Sequence, residues 1–247
     1  MRLLWSEFLK LRTAPRTTLG LTLGLLAITA LGAASIASSA SGEFSSNFAV
    51  WDLMDLVSIS VVFTLILGIL IVTWEYRHGT ITPTFLAAPK RERVMAAKLF
   101  TALVAGAVLA ALCLGLALAI AALWLGGLDS EGGQWELAGR ILLAAALWCA
   151  FGLGIGAAIQ SQVGTIVSAL IWFLLVENIL SVIPRVERIS DYLPGSAIDR
   201  FISTEALRDE PGIVSSAYGL WGAALLATAY VVGALVVGTV LVQRRDV

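Results

Sequence analysis

The stretch "EYRHGTITPTFLAAPKRERVMAAK" runs from Glu75 to Lys98 and separates two runs without a charged residue, 56–74 and 99–125. It holds five of the chain's 16 Lys and Arg residues and two of its 6 prolines. An apolar run of about 20 residues, wound as a helix, crosses a hydrocarbon core of ~30 Å. The two flanking runs meet that length, so the basic segment between them reads as a loop at a membrane surface. The fold turns on that reading.

Composition supports it. The chain is 59% hydrophobic and 13% charged, with mean hydropathy +0.91. Soluble domains carry about 25% charged residues, and so few polar side chains would not cover a soluble core of this size. Working outward, six spans are expected at roughly 17–40, 55–74, 98–125, 138–160, 162–183 and 216–242. Each must be helical, because lipid offers backbone groups no partners. The expectation is an all-α polytopic protein forming one transmembrane domain over 1–247.

Lys and Arg set the orientation. Residues 1–16, the segment 75–98, the link at Gln160-Ser161-Gln162 and the C-terminus hold 11 of them; Arg140, Arg185, Arg188, Arg200 and Arg208 lie on the other side. Both termini are therefore expected in the cytoplasm. Segments 41–54 and 126–137 carry acids but neither Lys nor Arg, as outside loops should. The excess of Arg over Lys, with abundant Ala, Gly and Leu, fits a GC-rich bacterial genome and a multi-pass protein of its cytoplasmic membrane.

The leader 1–16 is patterned. Met1, Leu4, Trp5, Phe8 and Leu11 share one helical face; Arg2, Ser6, Lys10 and Thr13 share the other. Such a helix lies in the interface with its basic side toward headgroups; Trp5, Phe8, Lys10 and Arg12 are its candidate membrane-interface residues. The apolar run behind it is longer than a usual signal-peptide core. Gly20 with Gly24, and Gly152 with Gly156, have the spacing that lets helices approach closely in lipid, a weak signal in so Gly- and Ala-rich a chain.

No chemistry is legible. The chain lacks a phosphate-cradling G-x-x-x-x-G-K-[ST] and the zinc motif H-E-x-x-H. Its single histidine, His78, reads as a solvated or hydrogen-bonded residue, and Cys113 and Cys149 as small apolar packing residues. No catalytic residues, metal site, bound cofactor or nucleic-acid partner is expected.

The ordering of these parts resembles the ABC type 2 transporter permease family. In that family a segment of the form E-x-x-x-G-T-(x)n-P-x-x-R-(x)n-K joins the second and third spans. Here Glu75, Gly79, Thr80, Pro89, Arg91 or Arg93, and Lys98 match it, behind the leader "SEFLKLRTAPRTTL". The later "YLPGSAIDRFI", Tyr192 to Ile202, looks like the family's segment between the fifth and sixth spans. The resemblance implies a non-catalytic membrane subunit that pairs with a second copy or a paralogue. It also implies two ATPase subunits, which bind the ATP and Mg, usually for export.

The residues give that implication a physical form. Gly79 permits the backbone turn that ends the second span. Thr82 then Pro83 reads as an N-cap and first helical position, and Pro89 as the stop. Phe85 and Leu86 would lie on the short helix between, ready for a partner's groove: a coupling helix. An alternative from another class is a membrane anchor or scaffold that recruits a cytoplasmic partner and transports nothing. An ion-coupled carrier would require several buried acids, and only Glu177 qualifies.

Two further sites are nominated. Glu177 lies about six residues, so ~9 Å, inside the outer end of the fifth span. An acid there is a candidate for the transport path or gate, with Arg140 as its expected counter-ion. The outside segment 184–215 carries Ile198, Phe201, Ile202 and Leu207 at helical spacing, which predicts a short amphipathic or partly re-entrant helix, with a solvated surface loop as the alternative. Substrate is not specified; apolar spans favour a lipidic or amphiphilic cargo.

Overall fold

The computed structural model describes residue 7 and residues 16–39, 46–81, 91–125, 132–183, 187–203 and 219–244. Its helices are α1 (Arg16–Ser39), α2 (Ser46–Ser58), α3 (Ser60–Arg77), α4 (Arg91–Leu125), α5 (Gly132–Ile159) and α6 (Gln162–Ile171). A π-helical turn (Trp172–Val176) leads into α7 (Glu177–Val182). Then follow α8 (Glu187–Ser190), α9 (Pro194–Ile202) and α10 (Leu220–Arg244). Six helical runs are long and apolar enough to cross a membrane: α1, α2 with α3, α4, α5, α6 through α7, and α10. This supports a multi-pass, all-helical membrane protein.

The ends differ from the hydropathy reading: the last run begins at Leu220, not at 216, while others begin earlier. The third run begins at Arg91, not at 98, and the fourth at Gly133, not at 138. Apolar windows find the lipid-sized core of a helix, but the helix continues wherever polar residues still hydrogen-bond along it. Residues 91–97 do so and bury Val94, Met95 and Ala97. Most of the segment 75–98 outside 82–90 is therefore helical, and Lys98 sits two turns inside α4. Thr82, Pro83, Phe85, Leu86 and Pro89 lie outside the described residues, as do Trp5, Phe8, Lys10 and Arg12 of the leader.

Local chemistry explains the boundaries. At the end of α3, Gly79 takes φ +66°. The Thr80 amide then donates to Glu75 O (3.0 Å) and the Gly79 amide to Tyr76 O (3.4 Å), the paired bonds of a Schellman cap. His78 stacks on Trp74 with ring centroids 3.7 Å apart, and its Nδ1 lies 3.0 Å from Trp74 O. It is exposed and hydrogen-bonded, within what the sequence suggested for a lone histidine. Ser161 caps α6 by accepting from the Gly164 amide at 3.3 Å. Pro194 opens α9 at a position where its missing N–H costs nothing.

The bundle is organised around α5, which packs on α3, α4 and α10. Glycines let the backbones meet. A Cβ on Gly68 would strike Cys149 O, one on Gly152 would strike Leu65 O, and one on Gly106 would strike Ala145 O. Gly154 and Gly238 do the same between α5 and α10. Of the two glycine pairs marked in the sequence, Gly152 and Gly156 pack tightly on α3, whereas Gly20 and Gly24 face open space. The outer helices keep large apolar side chains exposed, among them Leu23, Leu123, Leu174 and Leu225, as lipid-facing surfaces require. Cys113 and Cys149 are buried and unbridged. In α9, Ala197, Ile198, Phe201 and Ile202 are buried, and the helix packs on α10 and α5. That is the amphipathic helix foreseen from the spacing; Leu207 lies outside the described residues.

Candidate functional site

Two polar clusters lie at opposite ends of the bundle. The first is built on Lys98, only 1% exposed. Its Nζ donates to Glu75 Oε1 at 2.7 Å and to Glu7 Oε2 at 2.9 Å. Both carboxylates are buried too. Three separate parts of the chain are thereby joined: the leader through Glu7, the last turn of α3 through Glu75, and the second turn of α4 through Lys98. Glu75 and Lys98 come from the motif; Glu7 was not nominated from the sequence.

The same end collects other contacts. Arg91 donates from a guanidinium nitrogen to Val242 O at 2.6 Å, placing a cation on the negative C-terminal end of α10. Gln243 reaches Glu92 at 3.2 Å. Across the α5–α6 link, Arg77 donates to Gln162 at 3.2 Å and Gln160 to the Tyr76 hydroxyl at 3.2 Å. Gln160 holds φ +61° there, a region costly for a residue with a Cβ. Arg93 is exposed, and Gly79 and Thr80 form the α3 cap. Glu7, the end of α3, the start of α4, the α5–α6 link and the end of α10 thus gather at one end of the bundle.

The second cluster is built on Glu177, which is 6% exposed. The π-helical turn sets Trp172 five residues before it on the same face, and Trp172 Nε1 donates to Glu177 Oε1 at 2.8 Å. The backbone amides of Gly195 and Ser196 donate to Oε1 and Oε2, each at 3.2 Å. Glu177 therefore caps α9 from outside, with its negative charge on the positive helix end. A Cβ on residue 195 would strike the carboxylate. The expected ion pair with Arg140 does not form. Arg140 pairs with Glu136 one turn back on α5. Its place two turns into α5 keeps it with its own helix, and the α9 amides supply what Glu177 needs.

Beside Glu177 lies a cleft of about 360 Å³ between α3, the end of α6 with the π turn and α7, and α9. Glu177, Asp199, Asn178 and Ser196 reach it among apolar walls, and Trp148 and Phe173 form an aromatic side. Asp199 stays open to the cleft, yet surrounding protein desolvates its carboxyl and raises its pKa above the ordinary carboxylate value. Among the described residues no group of three His, Cys, Asp or Glu has metal-binding geometry.

Neither the known protein-family models nor the curated proteins contain a match to this chain.

Proposed function

We propose that this chain is the membrane-spanning permease subunit of an ATP-driven exporter, with both termini in the cytoplasm of a bacterial cell. In this reading it works as a dimer, with a second copy or a paralogue. A separate ATPase holds the ATP and Mg and grips residues 80–93.

The observation that carries the reading is the Glu7–Lys98–Glu75 cluster. The gripped segment enters from α3 and leaves into α4. One buried lysine binds the carboxylates of α3 and of the leader. A displacement of the segment then loads three elements together instead of bending one loop. From α3 the load passes to α5, because the Gly68 and Gly152 contacts are backbone against backbone and leave no compliant side chain between them.

The test is biochemical. The tagged chain, drawn from its native membrane in mild detergent, should carry a Walker-motif ATPase in stoichiometric amount. Replacing Phe85 and Leu86 together with Asp should release that ATPase without unfolding the chain, since charge in an apolar groove is costly. ATPase retained by the double variant, with unchanged transport, would sink the assignment. An ATPase-free complex with some other cytoplasmic protein would favour the anchor instead.

A further inference from the structure

The cleft beside Glu177 has a chemistry that the permease reading does not specify. Its polar lining consists of two carboxylates, those of Glu177 and Asp199, and the neutral groups of Ser58, Asn178, Ser181 and Ser196. Among the described residues no Lys, Arg or His lines it. The charge of Glu177 is met by amide and indole donors. That of Asp199 has no hydrogen-bond or ion-pair partner among the described residues, since Arg200 next to it turns to Asp191 at 2.7 Å. The Asp199 carboxylate is exposed to the cleft, where a cationic ligand can reach it.

Part of the lining is aromatic. Trp148 and Phe173 line it with ring centroids 5.3 Å apart, and Phe151 backs them at 5.0 and 6.1 Å. Ring faces attract cations electrostatically and favour poorly hydrated ones. Val61, Leu65, Leu170 and Leu174 add an apolar bed. The volume falls in the range of small-molecule sites, ~300–1,000 Å³.

We propose that this cleft binds an amphiphilic organic cation, its ammonium head between the Asp199 carboxylate and the aromatic wall and its apolar body along α3 and α6. An anionic amphiphile would meet two carboxylates and, among the described residues, no cation. A neutral one would leave Asp199 uncompensated. A bare metal ion would trade its water for apolar walls with too few ligands. As the cargo site of an exporter the cleft rests on the permease reading; as a binding site it does not.

The experiment needs no ATPase. The full chain in nanodiscs of phosphatidylcholine is titrated with radiolabelled dodecyltrimethylammonium, and empty nanodiscs serve as the blank. Saturable binding above the blank, near one per chain, is expected. Asp199→Asn should weaken it by about tenfold or more, and Val62→Phe, which narrows the cleft without touching a charge, should abolish it. Dodecyl sulfate should not compete. Binding that does not saturate, that survives both variants, or that dodecyl sulfate displaces equally well overturns the inference. Saturable binding in a chain that recruits no ATPase would sink the permease reading alone. ATP-driven transport without this binding would sink the cleft assignment alone.

Discussion

Lys98 Nζ lies 2.7 Å from Glu75 Oε1, joining α4 to α3 across 23 residues of chain. With Glu7 on its other side at 2.9 Å, the lysine bridges two buried carboxylates. Removing one partner from a buried ion pair costs about 3–5 kcal/mol, because the remaining charge is stranded. Lys98→Met takes the lysine's charge from two buried carboxylates at once. It is expected to lower the thermal midpoint of the purified chain sharply, and Lys98→Met with Glu7→Gln and Glu75→Gln should recover most of the loss. Failure of the triple variant to recover would show that the cluster's role is not charge balance.

The glycine contacts give a second expectation. Gly68→Ala and Gly152→Ala each push a methyl into a carbonyl of the facing helix, and overpacking of this kind costs about 1–3 kcal/mol. Gly24→Ala meets nothing within 4 Å and gains helix propensity, up to ~1 kcal/mol. Thermal unfolding in detergent should rank the first two below wild type and the third at or above it. Equal effects at all three would mean that α3 and α5 do not pack as described.

Orientation is open to a labelling experiment. Cys113 and Cys149 are both fully buried, so the native chain should give little background. A cysteine at Gly42 should react with an impermeant thiol reagent in intact cells, and one at Arg93 only after the membrane is opened. Labelling at position 93 in intact cells would reverse the placement of both termini.

What the sequence disclosed follows from which interactions are local. Apolar length exposed the six spans, and Gly79 announced the α3 cap, since both depend on neighbours in the chain. Glu7 was legible in principle: it stands three residues after Leu4 and four before Leu11, an acid on the apolar stripe of the leader. Its partner on α4 was not, because nothing within one helix says which distant carboxylate a lysine will meet. Glu177 shows the same limit. Its burial followed from its place in an apolar run, but its partners are amides of α9, 18 and 19 residues onward. Backbone donors leave no residue-type signature, so pairing it with an arginine of similar depth was the natural error.

That geometry sets the last prediction. Glu177 accepts three hydrogen bonds, two from the first turn of α9 and one from Trp172. Gln in its place keeps one acceptor oxygen and turns an NH₂ toward an N–H, so at least one donor is stranded at about 1–3 kcal/mol. Leu strands all three. Gly195→Ala should act like Glu177→Gln, because its methyl displaces the carboxylate without altering charge. Arg140→Gln should leave the site untouched. Hydrogen exchange at the Gly195 and Ser196 amides reads this directly. Exchange should accelerate in Glu177→Gln and Gly195→Ala, more so in Glu177→Leu, and stay at the wild-type rate in Arg140→Gln. If Arg140→Gln matched Glu177→Gln at those two amides, the arginine would hold the carboxylate after all, and the cap assigned to Glu177 would fall.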